Sequence, residues 1–322
     1  MQAKVMPEQA TLPVYVGIDV CKERLDVHLH PLGMRLAVAN DAGGWRRLKR
    51  VLAPHSIARV VMEATSRYHR AAHRSLHAAG FDVAVVNPLR ARLFAEALGS
   101  LAKTDAVDAR ILALMAERLD PAATPPNRKA VETLQELDRA RSAAIDERVA
   151  LGNRHALSDS AFLRTELARR LRSLDTHIAR LDTALGKTIA ADPTLARRSA
   201  VLCSIPGVGI VTAIAILANL DEIGTLTDKQ AAALAGLAPI ARDSGAARGP
   251  RHIRGGRPKL RRALYMAALS AARYNPALKL FYQRLRDSGK PAKSALIAVA
   301  RKLLILANTI VAQNRTWTHY PA

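Results

Sequence analysis

The first 120 residues alternate between two hydrophobic periods. Residues 14–20 are a β-rich apolar run carrying an acid at Asp19, residues 24–30 alternate polar and apolar, and residues 35–39 follow Pro31 and Gly33. Three short strands with tight connections predict an antiparallel meander. Residues 45–52 predict a short helix and 58–63 a fourth strand ending in Glu63. Residues 67–79 predict a helix closed by Gly80, where a left-handed cap belongs, and 82–86 a fifth strand stopped by Asn87-Pro88. Helices over 89–98 and 106–118 follow; in the second, Val107, Ile111, Leu114 and Met115 recur at helical spacing. The order βββαβαβα predicts an α/β domain on a mixed sheet over residues 1–120.

Beyond residue 120 the pattern becomes helical. Residues 122–126, Ala-Ala-Thr-Pro-Pro, predict a stiff proline linker. A helix starts near Asn127 and is expected to break at Gly152-Asn153. Leu163, Leu167, Leu171, Leu174, Ile178, Leu181 and Leu185 then step by three and four, a heptad-like seam with charges on the other faces. Residues 121–192 are therefore expected to be a linker plus helical hairpin or coiled coil, packed on its own domain or joining two subunits. Residues 193–322 predict a mainly α domain with helices over 211–220, 230–236, 260–272, 276–286 and 292–314.

Composition narrows the partners. The chain has 322 residues, 49% of them hydrophobic, enough for two cores. Its formal net charge is +22 and its pI about 10.9, which points to a polyanion. From Ala241 onward, 17 Lys and Arg face two acids, Asp243 and Asp287, so +15 of that charge sits there. No apolar run is read as long enough for a membrane span, and residues 1–13 lack the apolar centre of a signal peptide. Cys21 and Cys203, far apart and each in an apolar segment, are expected as small core residues of a reduced, cytoplasmic protein. Aromatics make up only 4%, which disfavours recognition by stacking unpaired bases on aromatic rings.

Four acids carry the candidate chemistry. Asp19 and Glu63 close two strands expected to be neighbours, and strand ends are where sites open in α/β sheets. Asp105 and Asp108, three residues apart, share one face of the next helix, about 5–6 Å apart. Converging, these carboxylates would hold two divalent cations about 3.5–4 Å apart for phosphodiester chemistry. All-oxygen ligands suit Mg²⁺ or Mn²⁺. Asp26, mid-strand among alternating apolars, is expected to face solvent.

The basic half offers phosphate contacts. Gly207 and Gly209 precede a helix, as in a helix-hairpin-helix turn on a DNA backbone or a plain helix start. Residues 239–259 read as a glycine-rich basic loop with Arg242, Arg248, Arg251, Arg254, Arg257 and Lys259, followed by Arg261 and Arg262. Arg-Asp-Ser-Gly occurs twice, at 242–245 and 286–289; the second copy reads as a helix-to-helix turn, and only the first opens the basic loop. Ser244 is thereby a candidate nucleophile and Ser288 is not.

Gly17-Ile18-Asp19-Val20, Met62-Glu63-Ala64-Thr65 and Lys103-Thr104-Asp105-Ala106-Val107-Asp108-Ala109 together resemble the N-terminal domain of the DEDD insertion-sequence transposases, the bridge-RNA-guided recombinases. Ala235-Gly236-Leu237-Ala238-Pro239 and Gly255-Gly256-Arg257 resemble their C-terminal domain. The resemblance implies an RNase H-like, RuvC-like first domain and a tetrad of Asp19, Glu63, Asp105 and Asp108, with Lys103 beside it. It further implies a phosphoserine link to DNA through Ser244, whose loop would have to meet the tetrad, and a homodimer joined by the central helices. A tetramer on donor and target double-stranded DNA, with a guide RNA, follows from the same likeness. The alternatives are a junction-resolvase-like nuclease that uses water, or a nucleic-acid-binding protein without catalysis.

Overall fold

The computed structural model describes residues 12–100, 105–241, 243–244, 247–248 and 251–318, with the side chains of 105–107, 244, 247 and 248 left aside. The chain divides into two compact units, Met1–Asn127 and Arg128–Ala322.

The first unit is the expected α/β domain. Strands β1 (Val14–Val20), β2 (Arg24–His30), β3 (Met34–Ala39), β4 (Ile57–Glu63) and β5 (Val83–Val86) form one sheet in the order β3-β2-β1-β4-β5. The meander β1-β2-β3 is antiparallel, whereas β1-β4 and β4-β5 run parallel. Alternation divides each strand between two cores. Val16, Ile18, Leu25, Leu29, Val60 and Met62 face α1 (Ala42–Leu52) and α2 (His69–His77), burying Leu48, Leu52 and Leu76. Val61, Ala84 and Val86 face the other way and meet Leu112, Met115 and Ala116 of α4 (Asp105–Leu119), with α3 (Pro88–Ala97) alongside. The proline segment after α4 is no free linker. Thr124 donates its N–H to the Val83 carbonyl (2.8 Å), and its own carbonyl meets His73 Nε2 at 2.7 Å, which pins it along β5.

The second unit is helical: α5 (Lys129–Ala156), α6 (Ala161–Ala191), α7 (Pro193–Cys203), α8 (Ile210–Asn219), α9 (Asp228–Leu234), α10 (Pro258–Tyr274), α11 (Pro276–Asp287) and α12 (Ala292–Ala312). Helix α5 runs straight through Gly152-Asn153, so the expected break falls later, at residues 157–160. One glycine costs a helix only about 1 kcal/mol relative to alanine, which the pairing with α6 absorbs. Arg141–Asp182, Arg148–Asp175 and Arg170–Glu147 tie α5 to α6. The leucine seam is buried only at its root, at Leu181 and Leu185, and there Leu185 and the following Ile189 join Val131 and Leu134 in the main core. Toward the tip Val149, Leu157, Phe162 and Leu163 are exposed.

Two expectations need correction. Helix α12 is 21 residues long and holds an 18-residue window of mean hydropathy 1.9, enough by length and composition to cross a membrane. Its Val299, Leu303, Leu304, Ala307 and Ile310 are instead spent on the core. The cysteines are not core residues: Cys21 is half-buried just past the end of β1, and Cys203 is exposed as the last residue of α7.

A carboxylate site and a basic ribbon

The site in the first unit is built by one close approach. Gly17 lies in β1 with α4 laid directly on it: a Cβ there would stand 2.0 Å from the Ala109 carbonyl oxygen and 2.3 Å from the Ala113 nitrogen. Only glycine lets the two backbones touch. The helix runs antiparallel to β1. At the strand's beginning, where Tyr15 pairs with His30, His30 Nε2 lies 3.3 Å from Glu117 near the helix end. From Gly17 to Asp19 a strand advances about 6.6 Å, which a helix covers in four to five residues. Counted back from Ala109–Ala113, that level is the first turn of α4, the turn of Asp105 and Asp108.

The acids share that face. Asp19 follows Tyr15 and Gly17 by alternation, and Glu63 follows Val61, which packs against Leu112 and Met115. Asp108 is half-buried on the same helical stripe as Leu112 and Met115, one turn nearer the carboxyl ends of the strands. The helix presents its positive N-terminal end there. Asp19, Glu63 and Asp108 thus belong to one end of one face. The Asp105 backbone starts the helix, while its side chain and all of Lys103 lie outside the described residues. Among the described residues, no three acidic, His or Cys side chains stand close enough to hold a metal ion.

Asp26 does not face solvent as expected. It pairs directly with Asp19 across β1-β2, and its side chain is only 16% exposed. Two carboxylates directly opposed repel, and Arg24 Nε on the Asp26 carboxylate (2.8 Å) offsets part of that cost. His28, opposite Gly17, is buried, and its Nδ1 has no partner among the described residues. Burial above all, then the charges of Arg35, His30 and Arg110, holds His28 below its ordinary value.

Asn40 carries a role that the sequence alone does not announce. Its Nδ2 donates to the Cys21 carbonyl (2.9 Å), just past Asp19, and to the Tyr68 carbonyl (3.1 Å), in the turn after Glu63. Trp45 Nε1 donates to its Oδ1 at 2.9 Å and fixes the amide. One side chain therefore ties together the exits of both acid-bearing strands. Its signal is faint: a polar residue immediately before the Asp41 cap of α1.

In the second unit, the segment expected as a loop is a β ribbon. Strands β6 (Pro239–Ile240) and β9 (His252–Ile253) pair antiparallel, as do β7 (Asp243–Ser244) and β8 (Ala247–Arg248). Ser244 pairs with Ala247 through the backbone. The side chains of Ser244 and Arg248, and Arg242 altogether, lie outside the described residues. Arg251 Nη1 reaches the Asp243 carboxylate at 2.7 Å. At the ribbon's base Gly236 and Gly256 cross: a Cβ on Gly256 would stand 2.2 Å from the Gly236 nitrogen. Ser288, in the second Arg-Asp-Ser-Gly, closes α11 with its hydroxyl donating to the Leu285 carbonyl (2.9 Å).

The cations of this half divide by role. Arg257 grips Glu222 with both Nη atoms (2.9 and 2.7 Å) and donates to the Asn219 carbonyl at 2.7 Å. Arg261 donates to the Gly255 carbonyl at 2.7 Å, holding the glycine crossing. Both are structural. Arg254 and Lys259 are exposed, and Arg262 lies 3.8 Å from Asp146 on an open surface. Gly207 is pressed on α10, where a Cβ would meet Ala271 Cα at 2.6 Å, whereas Gly209 caps α8 in open space. Of the two, only Gly209 offers its backbone outward.

Comparison with known proteins agrees with both halves. Residues 16–157 match a transposase family model, and residues 199–283 match the model described as transposase, IS116/IS110/IS902 family. The pilin gene-inverting protein of Moraxella bovis is 30% identical over 317 residues, covering 94% of this chain and 96% of that protein. The 43.6 kDa protein of insertion element IS110 from Streptomyces coelicolor is 36% identical over 124 residues, covering 38% of this chain and 30% of that protein. This chain belongs to the IS116/IS110/IS902 transposase family and is, with it, a DNA-transposing enzyme.

Proposed function

We propose that the protein cuts and rejoins double-stranded DNA at the ends of an insertion sequence and at its target, using Asp19, Glu63, Asp105 and Asp108 for divalent metal and Ser244 as nucleophile. The observation that supports this best is the Gly17–Ala109 contact, which sets the first turn of α4 level with Asp19. The strand order β3-β2-β1-β4-β5 with an antiparallel meander supports an RNase H-like, RuvC-like reading of the first unit.

The donor set is all carboxylate oxygen, which fits Mg²⁺ or Mn²⁺. Bound there, the ions would neutralise charge on the phosphate and polarise its oxygens. The Ser244 hydroxyl gives up its proton and its oxygen attacks phosphorus. The phosphorus–oxygen bond to one strand breaks, that strand leaves with the proton, and a phosphoserine remains. Attack by another strand's hydroxyl reverses these bonds and restores the serine. Arg248, in β8, would bind the phosphate during both steps. A guide RNA would choose the sites, and the exposed apolar tip of α5-α6 would join subunits into a dimer, and dimers into a tetramer on DNA. The work is cytoplasmic, where the DNA is.

The test is to denature a cleavage reaction and look for protein covalently attached to a DNA end. Ser244→Ala should lose the adduct and Ser288→Ala keep it, while Asp19→Asn and excess chelator abolish cleavage altogether. Cleavage by Ser244→Ala at the wild-type rate would make water the nucleophile, as in a junction resolvase.

A further inference from the structure

The second unit holds a cavity of about 450 Å³ between the β6-β9 pair and the N-terminal half of α12. Its floor is apolar, from Leu237, Ile253, Ile297 and Ala298. Its rim is cationic, with Lys290, Lys293 and Arg301 on the helix side, Arg251 on the ribbon side, and no acid in the lining. Lys293 and Arg301 are two helical turns apart, about 12 Å, with Ile297 midway between them. The Arg301 Nε is buried and has no hydrogen-bond partner among the described residues. Orphaned charged donors of this kind are costly, and an anionic oxygen at that spot would satisfy one.

An apolar floor beside a cationic rim suits a nucleotide, whose base projects to one side of a phosphate-bearing backbone. A base paired inside a duplex cannot reach an apolar floor, so the occupant must be unpaired. Small aliphatic side chains accept any base face, which suits a site that does not read sequence. Arg251 lines this cavity while holding Asp243, the neighbour of Ser244.

We propose that this cavity seats one unpaired nucleotide of the DNA strand being cut, with its base on the floor and the strand's backbone phosphates along the cationic rim that includes Lys293 and Arg301. The choice of DNA rests on the serine reading above; the cavity's preference for an unpaired nucleotide does not. The full chain is titrated with a fluorescent single-stranded DNA oligonucleotide, intact or with one central abasic site. The intact strand should bind about tenfold more tightly, the worth of burying a modest apolar area. Ser294→Trp, at an exposed lining position, plugs the floor and should erase that difference while duplex affinity moves less than about twofold. Lys293→Gln with Arg301→Gln should weaken both strands about equally.

Equal affinity for intact and abasic strands in the wild type overturns the proposal, as does a difference that survives Ser294→Trp. A base preference seen only with RNA of the same sequence overturns the assignment to DNA. Ser244→Ala must keep the base preference. If it does and the wild type forms no covalent adduct, the serine reading falls and the cavity stands; an adduct without base preference has the opposite meaning.

Discussion

Gly17 and Ala109 touch through their backbones: a single Cβ on the strand residue would lie 2.0 Å from the helix carbonyl oxygen. The contact leaves helix and strand no freedom to separate or slide, so the level of Asp108 relative to Asp19 is set by the absence of a side chain two residues away.

Gly17→Ala should therefore act as an active-site mutation although it bears no chemistry. The added methyl must push α4 outward, costing about 1–3 kcal/mol of stability and misplacing the first-turn acids. Cleavage is expected to fall by about a hundredfold with the sheet intact, since misplacement near 1 Å suffices for that. Single-turnover rates alongside thermal unfolding check it; a stable, fully active variant would refute the role of the contact.

Asn40→Ala removes the donors to the Cys21 and Tyr68 carbonyls and strands Trp45 Nε1. About 1–3 kcal/mol of stability should be lost. Because those carbonyls lie just past the two acid-bearing strands, cleavage should need a higher metal concentration than in the wild type. A metal titration curve that does not move would leave Asn40 with a purely structural part.

The Arg257–Glu222 pair makes a pH prediction. Burial alone would raise the Glu222 carboxyl, but the hydrogen bonds and charge of Arg257 outweigh it and hold the group below its ordinary value. A carboxylate depressed in the folded state contributes stability above its unfolded pKa, near 4.3, and loses it as pH falls through the lower folded value. Wild type should exceed Glu222→Gln in unfolding free energy at pH 7, by under about 1 kcal/mol given solvent screening, and the gap should close in acid. A gap that persists unchanged at pH 3 would contradict this.

Salt dependence separates binding arginines from structural ones. Removing Arg254 and Lys259, both exposed, should lower the slope of log affinity against log salt by about 0.9 for every phosphate no longer neutralised. Arg257→Ala and Arg261→Ala should lower the melting temperature and leave that slope nearly unchanged. Binding isotherms at several salt concentrations distinguish the two groups.

Much of the first unit is legible in the sequence because its signals are local. Period-two runs ending in Asp19 and Glu63 identify strands whatever surrounds them, and the helical stripe over 106–118 identifies α4. The side that Asp26 faces is not legible, because which side of a strand is covered depends on what packs there, and α4 lies some eighty residues downstream. Asn40 is hidden for the same reason: its partners, Cys21 and Tyr68, are distant in sequence. The ribbon at 239–253 hides because two-residue strands are too short to show a period, and its glycines read as loop until Gly236 and Gly256 are seen to cross. Arg257 and Arg261 look like phosphate ligands because a sequence displays charge but not the carboxylate or carbonyl that consumes it.

Helix α12 also dictates an order of events. It is the last of these helices to leave the ribosome, yet it supplies Val299, Leu303, Leu304 and Ile310 to a core that otherwise draws on residues from 131 onward. The first unit, all of it before residue 128, can close while synthesis continues, but the second holds an open apolar seam until this stretch arrives. Nascent chains paused before residue 292 should be chaperone clients and prone to aggregate, and release of α12 is the moment at which that seam closes and the helical unit is complete as a fold.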